Sequence, residues 1–188
     1  MSRNKIIGMI RQNAPQSGSF SVWRKEKTET PVARLKEMFK DNLTRVGAAF
    51  SELLGKDQLY AFINVNYPDA LCFEREEVWK EYQAASPDKL DKLGTVLLNG
   101  QFGVAENGAI WLDESDFPNR LIPFIARELI ISLPSGQIVE DMHQAYERID
   151  PIGSGFGLFI SGPSKTADIE QSLVYGAHGP VTLTVVLY

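Results

Sequence analysis

The chain has 188 residues, of which 44% are hydrophobic and 23% charged, an ordinary globular composition that supports one domain and an arm without metal or disulfide. Its net charge of −5, from 24 acidic and 19 basic residues, argues against a nucleic-acid partner and an anionic membrane surface. A single cysteine, Cys72, excludes an intrachain disulfide, and with only His143 and His178 as histidines the sequence offers no iron–sulfur or metal-ligand motif. A reducing, cytoplasmic setting is compatible with this cysteine usage.

Residues Met1 to Gln12 mix charges with Ile6, Ile7, Met9 and Ile10, a short amphipathic helical pattern without the apolar core of a signal peptide. No stretch reaches the run of about 18 apolar residues that a membrane span needs. Asn13 to Thr30, with Pro15, Gly18 and several serines, reads as a linker. Residues 1–30 are therefore expected to form an arm, packed on its own domain or touching a partner subunit, and residues 31–188 the folded domain.

From Pro31 onward Val32, Leu35, Phe39, Leu43, Val46, Phe50 and Leu53 follow helical spacing, and Pro31 suits a first helical turn. Either one helix runs to Leu54, or Gly47 caps it and Ala48 to Leu53 is extended; periodicity allows both. Gln58 to Asn66 reads as a short helix or strand, Ala70 to Phe73 as a strand, Glu74 to Ala85 as a charged helix, and Pro87 to Lys92 as a polar connector. The run Glu74-Arg75-Glu76-Glu77 is a solvated helix face rather than a metal cluster.

Thr95 to Leu98 is a strand candidate. Beyond it, Glu106-Asn107-Gly108 lies between two apolar runs, a hairpin signal whose type I′ turn requires positive φ at both central residues. Asp113 ends the return strand. Glu128 to Leu133 reads as a buried strand, and Ile138 to Ile149 has helical spacing on Ile138, Met142, Ala145, Tyr146 and Ile149. The alternation of strands and helices in this half predicts an α/β fold.

The last 31 residues predict strand, polar loop, helix, second loop and strand. In such a βαβ unit the loop Gly162-Pro163-Ser164-Lys165-Thr166 would sit at the carboxyl end of its strand, where open parallel sheets bind ligands. Backbone N–H groups at the start of a following helix, with the Ser164 and Thr166 hydroxyls and the Lys165 charge, would make a small anion site. The simpler alternative is that Ser164 or Thr166 caps the helix and Asp168 and Glu170 favour its dipole. The loop lacks the spacing of a Walker A motif.

Gly162-Pro163-Ser164-Lys165-Thr166-Ala167-Asp168-Ile169-Glu170, then Gly176-Ala177-His178-Gly179-Pro180 and an apolar terminal strand, resembles the C-terminal signature of the lactate-utilization (LUD) domain family, in its single-domain C-component group. Phe102 to Ile110 is similar to the family's second motif, but Asn107 and Ala109 stand where two threonines are usual, removing two hydroxyls from an expected pocket wall.

The resemblance implies a central, mostly parallel sheet flanked by helices, similar to the sugar-isomerase and CoA-transferase fold, with an N-terminal helical arm. It also implies a part in oxidising L-lactate to pyruvate beside iron–sulfur partner proteins, with no cofactor on this chain and a homo-oligomer as an option. Within that reading His178 is the candidate general base for a 2-hydroxy acid, the alternative being that it fixes its loop by a hydrogen bond to a backbone carbonyl, and Glu106 and Asp168 are the acid/base or orienting carboxylates. Gly162, Pro163, Ser164, Lys165, Thr166, Asn107 and Gly108 are expected to bind a small carboxylate or phosphate. Two other readings stand beside it: a non-catalytic metabolite-binding or regulatory module, and a CoA-transferase- or isomerase-like enzyme with Glu106 as nucleophile.

Overall fold

A computed structural model describes residues 3–13, 30–149, 155–167, 173–176 and 178–188. In chain order the helices are α1 (Arg3–Gln12), α2 (Val32–Val46), α3 (Leu59–Asn66), α4 (Glu76–Gln83), α5 (Pro87–Leu90), α6 (Ile122–Ile125) and α7 (Met142–Arg148). The first seven strands are β1 (Ala49–Glu52), β2 (Leu71–Cys72), β3 (Thr95–Asn99), β4 (Phe102–Val104), β5 (Ala109–Asp113), β6 (Glu128–Leu133) and β7 (Ile138–Val139). The last four are β8 (Gly157–Ile160), β9 (Lys165–Ala167), β10 (Leu173–Tyr175) and β11 (Thr182–Leu187).

Five strands form a wholly parallel sheet in the order β1-β11-β6-β3-β2. Its central strands are apolar on both sides, as a parallel sheet covered on both faces requires. The period of two divides them. Val96 and Leu98, Leu129, Ile131 and Leu133, and Leu183, Val185 and Leu187 enter the main core with Leu35, Phe39 and Leu43 of α2. Leu97, Ile130 and Val186 face the other way, onto Leu59 and Ile63 of α3.

Beyond α2 lies a second, four-stranded sheet in the order β7-β4-β5-β8. Ile110, Leu112 and Ile138 turn one of its faces into the main core. Phe102, Val104, Ala109 and Val139 turn the other toward Ala145 of α7. Helix α2 ends at Gly47, whose φ of 87° gives a left-handed cap while its N–H donates to the Thr44 carbonyl. The chain then enters β1, which settles the choice left open by periodicity in favour of the capped helix.

Several expectations are corrected. Of the stretch expected as a helix after the polar loop, the described residues Ala167 and Leu173–Tyr175 are strand instead, and so are the loop residues Lys165 and Thr166: Lys165–Ala167 and Leu173–Tyr175 pair antiparallel, with Ala167 opposite Leu173. The β-branched Val174 and aromatic Tyr175 favour extended pairing. The βαβ unit is thereby replaced, because β8 before the loop belongs to the second sheet, antiparallel to β5, and not to the parallel sheet. Asp168 lies outside the described residues.

Ile138 to Ile149 divides into β7, parallel to β4, and α7, because Asp141 caps a new start by accepting the Gln144 N–H at 3.0 Å. The expected hairpin is present as β4 and β5, but it closes through four residues, 105–108, rather than a two-residue type I′ turn. Gly108, with φ of 68°, donates its N–H to the Val104 carbonyl at 2.9 Å. Residues 87–90 of the expected connector form the short helix α5.

Candidate functional site

The two motifs meet against the carboxyl-terminal half of α2. Asn42, half-buried, donates from Nδ2 to the carbonyls of Ala105 (2.8 Å) and Glu106 (3.1 Å), and Arg45 fixes its other end by donating to Oδ1 at 3.0 Å. A Cβ on Gly108 would lie 3.0 Å from the Leu43 nitrogen, so the hairpin loop rests directly on the helix backbone. Asn42 carried no signal in the sequence beyond a polar position on an amphipathic helix.

One turn further along α2, the second loop takes hold. Gly162 is buried with φ of 78°, and a Cβ there would meet the Val46 carbonyl oxygen at 2.8 Å. Lys165 donates from Nζ to that same oxygen at 2.6 Å. Its ammonium therefore serves the negative, carboxyl-terminal end of α2, where a cation is favourable. The expectation of Lys165 as a ligand charge needs that bond to break or be shared.

Ser164 is tied at three points: its N–H donates to the Pro180 carbonyl (2.9 Å), its carbonyl accepts from Gly176 (3.1 Å), and its Oγ accepts from the His178 N–H (3.4 Å). Pro163 is buried beside it. The loop follows the carboxyl end of β8 as expected, but β8 lies in the second sheet, and in the parallel sheet the loop meets the entry to β11, the amino end of that strand. The anion site expected from a helix N-terminus has no helix in the described residues to supply it, and the Ser164 N–H is already committed.

The two loops are joined directly. Ser161 donates from Oγ to the Asn107 carbonyl at 2.8 Å. Asn107 also accepts the Ala109 N–H on its side-chain oxygen at 2.9 Å. Asn107, Gly108, Gly162, Pro163, Ser164 and His178 are therefore linked in one chain of contacts, with Ser161 as the bridge that sequence reasoning missed. A serine after an apolar strand carries no distinctive signal.

Among the described residues, the proposed acid/base groups Glu106 and His178 make separate contacts. The Glu106 carboxylate accepts the Met142 N–H on Oε2 at 3.1 Å, at the start of α7. His178 is exposed, and its recorded bond is through the backbone. Thr166 lies in β9. Among the described residues, no three His, Cys, Asp or Glu side chains are placed to hold a metal ion. Burial pushes the Cys72 thiol above its ordinary pKa, which disfavours a reactive thiolate.

A parallel sheet with a second, mixed sheet packed across α2, and two loops joined at the end of that helix, define the class: an α/β domain whose two motif loops meet. The LUD domain model matches residues 16–188, and the chain belongs to that family. Lactate utilization protein C of Anoxybacillus flavithermus is 37% identical over 194 residues, covering 99% of this chain and 81% of that protein. The protein of the same name from Shouchella clausii is 39% identical over 83 residues, and the match spans only 36% of its length. A DUF162 family crystal structure from Deinococcus radiodurans shares the fold, with a TM-score of 0.61 at 19% identity over 84% of this chain and 98% of that one. The family resemblance and the α/β class expected from the sequence are both borne out.

Proposed function

We propose that this chain is a component of a lactate-utilization system and binds a small carboxylate where the Asn107 and Ser164 loops join. The observation that supports it best is the near-complete alignment with a lactate utilization protein C, combined with the 2.8 Å bond from Ser161 to Asn107 that unites the two motifs. Electron transfer from lactate falls to iron–sulfur partner proteins, and the chain works in the cytoplasm beside them. His178 is the candidate base, since its side chain is exposed at the loop that Ser164 holds. Affinity purification from the native host under anaerobic conditions tests the assignment. Iron–sulfur proteins should co-purify, and their absence would remove the partner reading.

A second reading, a binding module without catalysis, is favoured by one observation. Among the described residues, the Glu106 carboxylate is engaged at the α7 start rather than with His178. His178→Ala separates the two: turnover lost with lactate binding retained supports catalysis, whereas both retained supports the binding module. A transferase reading would require the same Glu106 carboxylate as nucleophile, and trapping with a thioester substrate would test it.

A further inference from the structure

Asn107 stands at the junction, half-buried, and both of its oxygens are used. Its carbonyl oxygen accepts the Ser161 hydroxyl proton at 2.8 Å. Its side-chain Oδ1 accepts the Ala109 N–H at 2.9 Å, and because only oxygen can accept there, that bond fixes which way round the carboxamide lies. The Nδ2 amine is left with no partner among the described residues. A half-buried amine of this kind calls for an acceptor from water or a ligand.

The neighbouring groups extend the pattern. Ser164 Oγ accepts the His178 N–H, which leaves its own proton available to donate. The nearby Lys165 ammonium is drawn onto the Val46 carbonyl at the end of α2. What the two loops offer a ligand is thus a set of neutral donors. Such a set matches a singly charged carboxylate better than a doubly charged phosphate, which calls for fixed cations.

We infer that Asn107 is the specificity-determining residue of the site, selecting a carboxylate through the two donors of an Nδ2 amine whose orientation the Ala109 N–H fixes. The inference rests on the carboxylate-binding reading above and adds the group that recognises the ligand. An acceptor at this position would be rejected.

Asn107→Asp tests it, because the aspartate keeps an oxygen for the Ala109 N–H while turning the outward donors into a charged acceptor. Titration calorimetry on the full chain, with sodium L-lactate and separately with inorganic phosphate, should show lactate bound in preference to phosphate. The variant should lose about tenfold or more in lactate affinity, with an unchanged melting temperature. In the wild-type protein the Asn107 side-chain NH2 resonances should shift on saturation with lactate, a reading that does not depend on the variant folding. Lactate binding by Asn107→Asp within about twofold of wild type would overturn the role of Asn107 while leaving the carboxylate site standing. Unmoved NH2 resonances at saturation would do the same. Phosphate bound more tightly than lactate would overturn the selection, and a wild-type protein that binds neither would remove the carboxylate reading and this inference together.

Discussion

Replacing Gly162 with alanine puts a methyl group where the second loop crosses the end of α2. Two effects add. Alanine at a φ of 78° carries about 1–2 kcal/mol of left-handed strain. The new Cβ also falls 2.8 Å from the Val46 carbonyl oxygen and 3.0 Å from the Val46 Cβ. A backbone oxygen cannot swing aside as a side chain can, and this one already receives Lys165. Overpacking of this kind destabilises by about 1–3 kcal/mol, so the sum is about 2–5 kcal/mol.

For a domain of this length about 3 kcal/mol corresponds to a melting temperature lower by about 9 °C. Urea unfolding of Gly162→Ala against wild type measures it. Gly136→Ala is the control, since nothing lies within 4 Å of a Cβ there; it should stay within about 0.5 kcal/mol of wild type. Adding Val46→Ala should restore part of the loss, by removing the Cγ2 contact at 3.0 Å but not the Cβ or carbonyl contacts. A Gly162→Ala protein as stable as the control would refute the close packing of loop on helix.

Three further outcomes follow from the same geometry. Asn42→Ala removes two hydrogen bonds to the hairpin loop; it should cost about 1–2 kcal/mol in urea unfolding, and hydrogen exchange should show the Gly108 N–H less protected. Lys165→Met should cost about 0.5–1 kcal/mol in urea unfolding through the lost interaction with the end of α2; unchanged stability would mean the ammonium does not serve that helix. Asp116 has its pKa raised chiefly by burial, against lowering hydrogen bonds from the Asp113 N–H and Gln101. Its favourable contribution is therefore full below the ordinary carboxylate pKa and is lost as pH rises through the raised, folded value. Wild type should lose stability relative to Asp116→Asn as pH rises from the acid side, and an opposite slope in paired urea titrations would contradict the burial.

Strand positions with strong local character were legible. Thr95–Asn99 and Glu128–Leu133 are apolar runs that emerge as buried parallel strands, and Asn107-Gly108 marked a true hairpin. The second sheet was not legible as a sheet. Its strands β4, β5, β7 and β8 are two to five residues long and drawn from three separate stretches, so their pairing depends on packing across α2 rather than on local preference. The same cause misled the helix reading after the polar loop, where the described residues Ala167 and Leu173–Tyr175 belong to the paired strands β9 and β10.

The site was half legible. Glycine, proline and serine in Gly162 to Ser164 pointed to a special loop, and the resemblance joined it to the hairpin. Ser161 and Asn42, which hold the two loops, are single polar residues whose partners lie 54 and 63 positions away, a distance no local pattern encodes. The placement at the amino end of β11 likewise needed the sheet order, since it depends on which sheet β8 joins.

Anaerobic oxidation of L-lactate to pyruvate by the purified iron–sulfur partner proteins, measured with and without this chain, is the most direct test of its proposed role. The account predicts that turnover depends on the chain and is lost with Asn107→Asp. Equal turnover in its absence would contradict it.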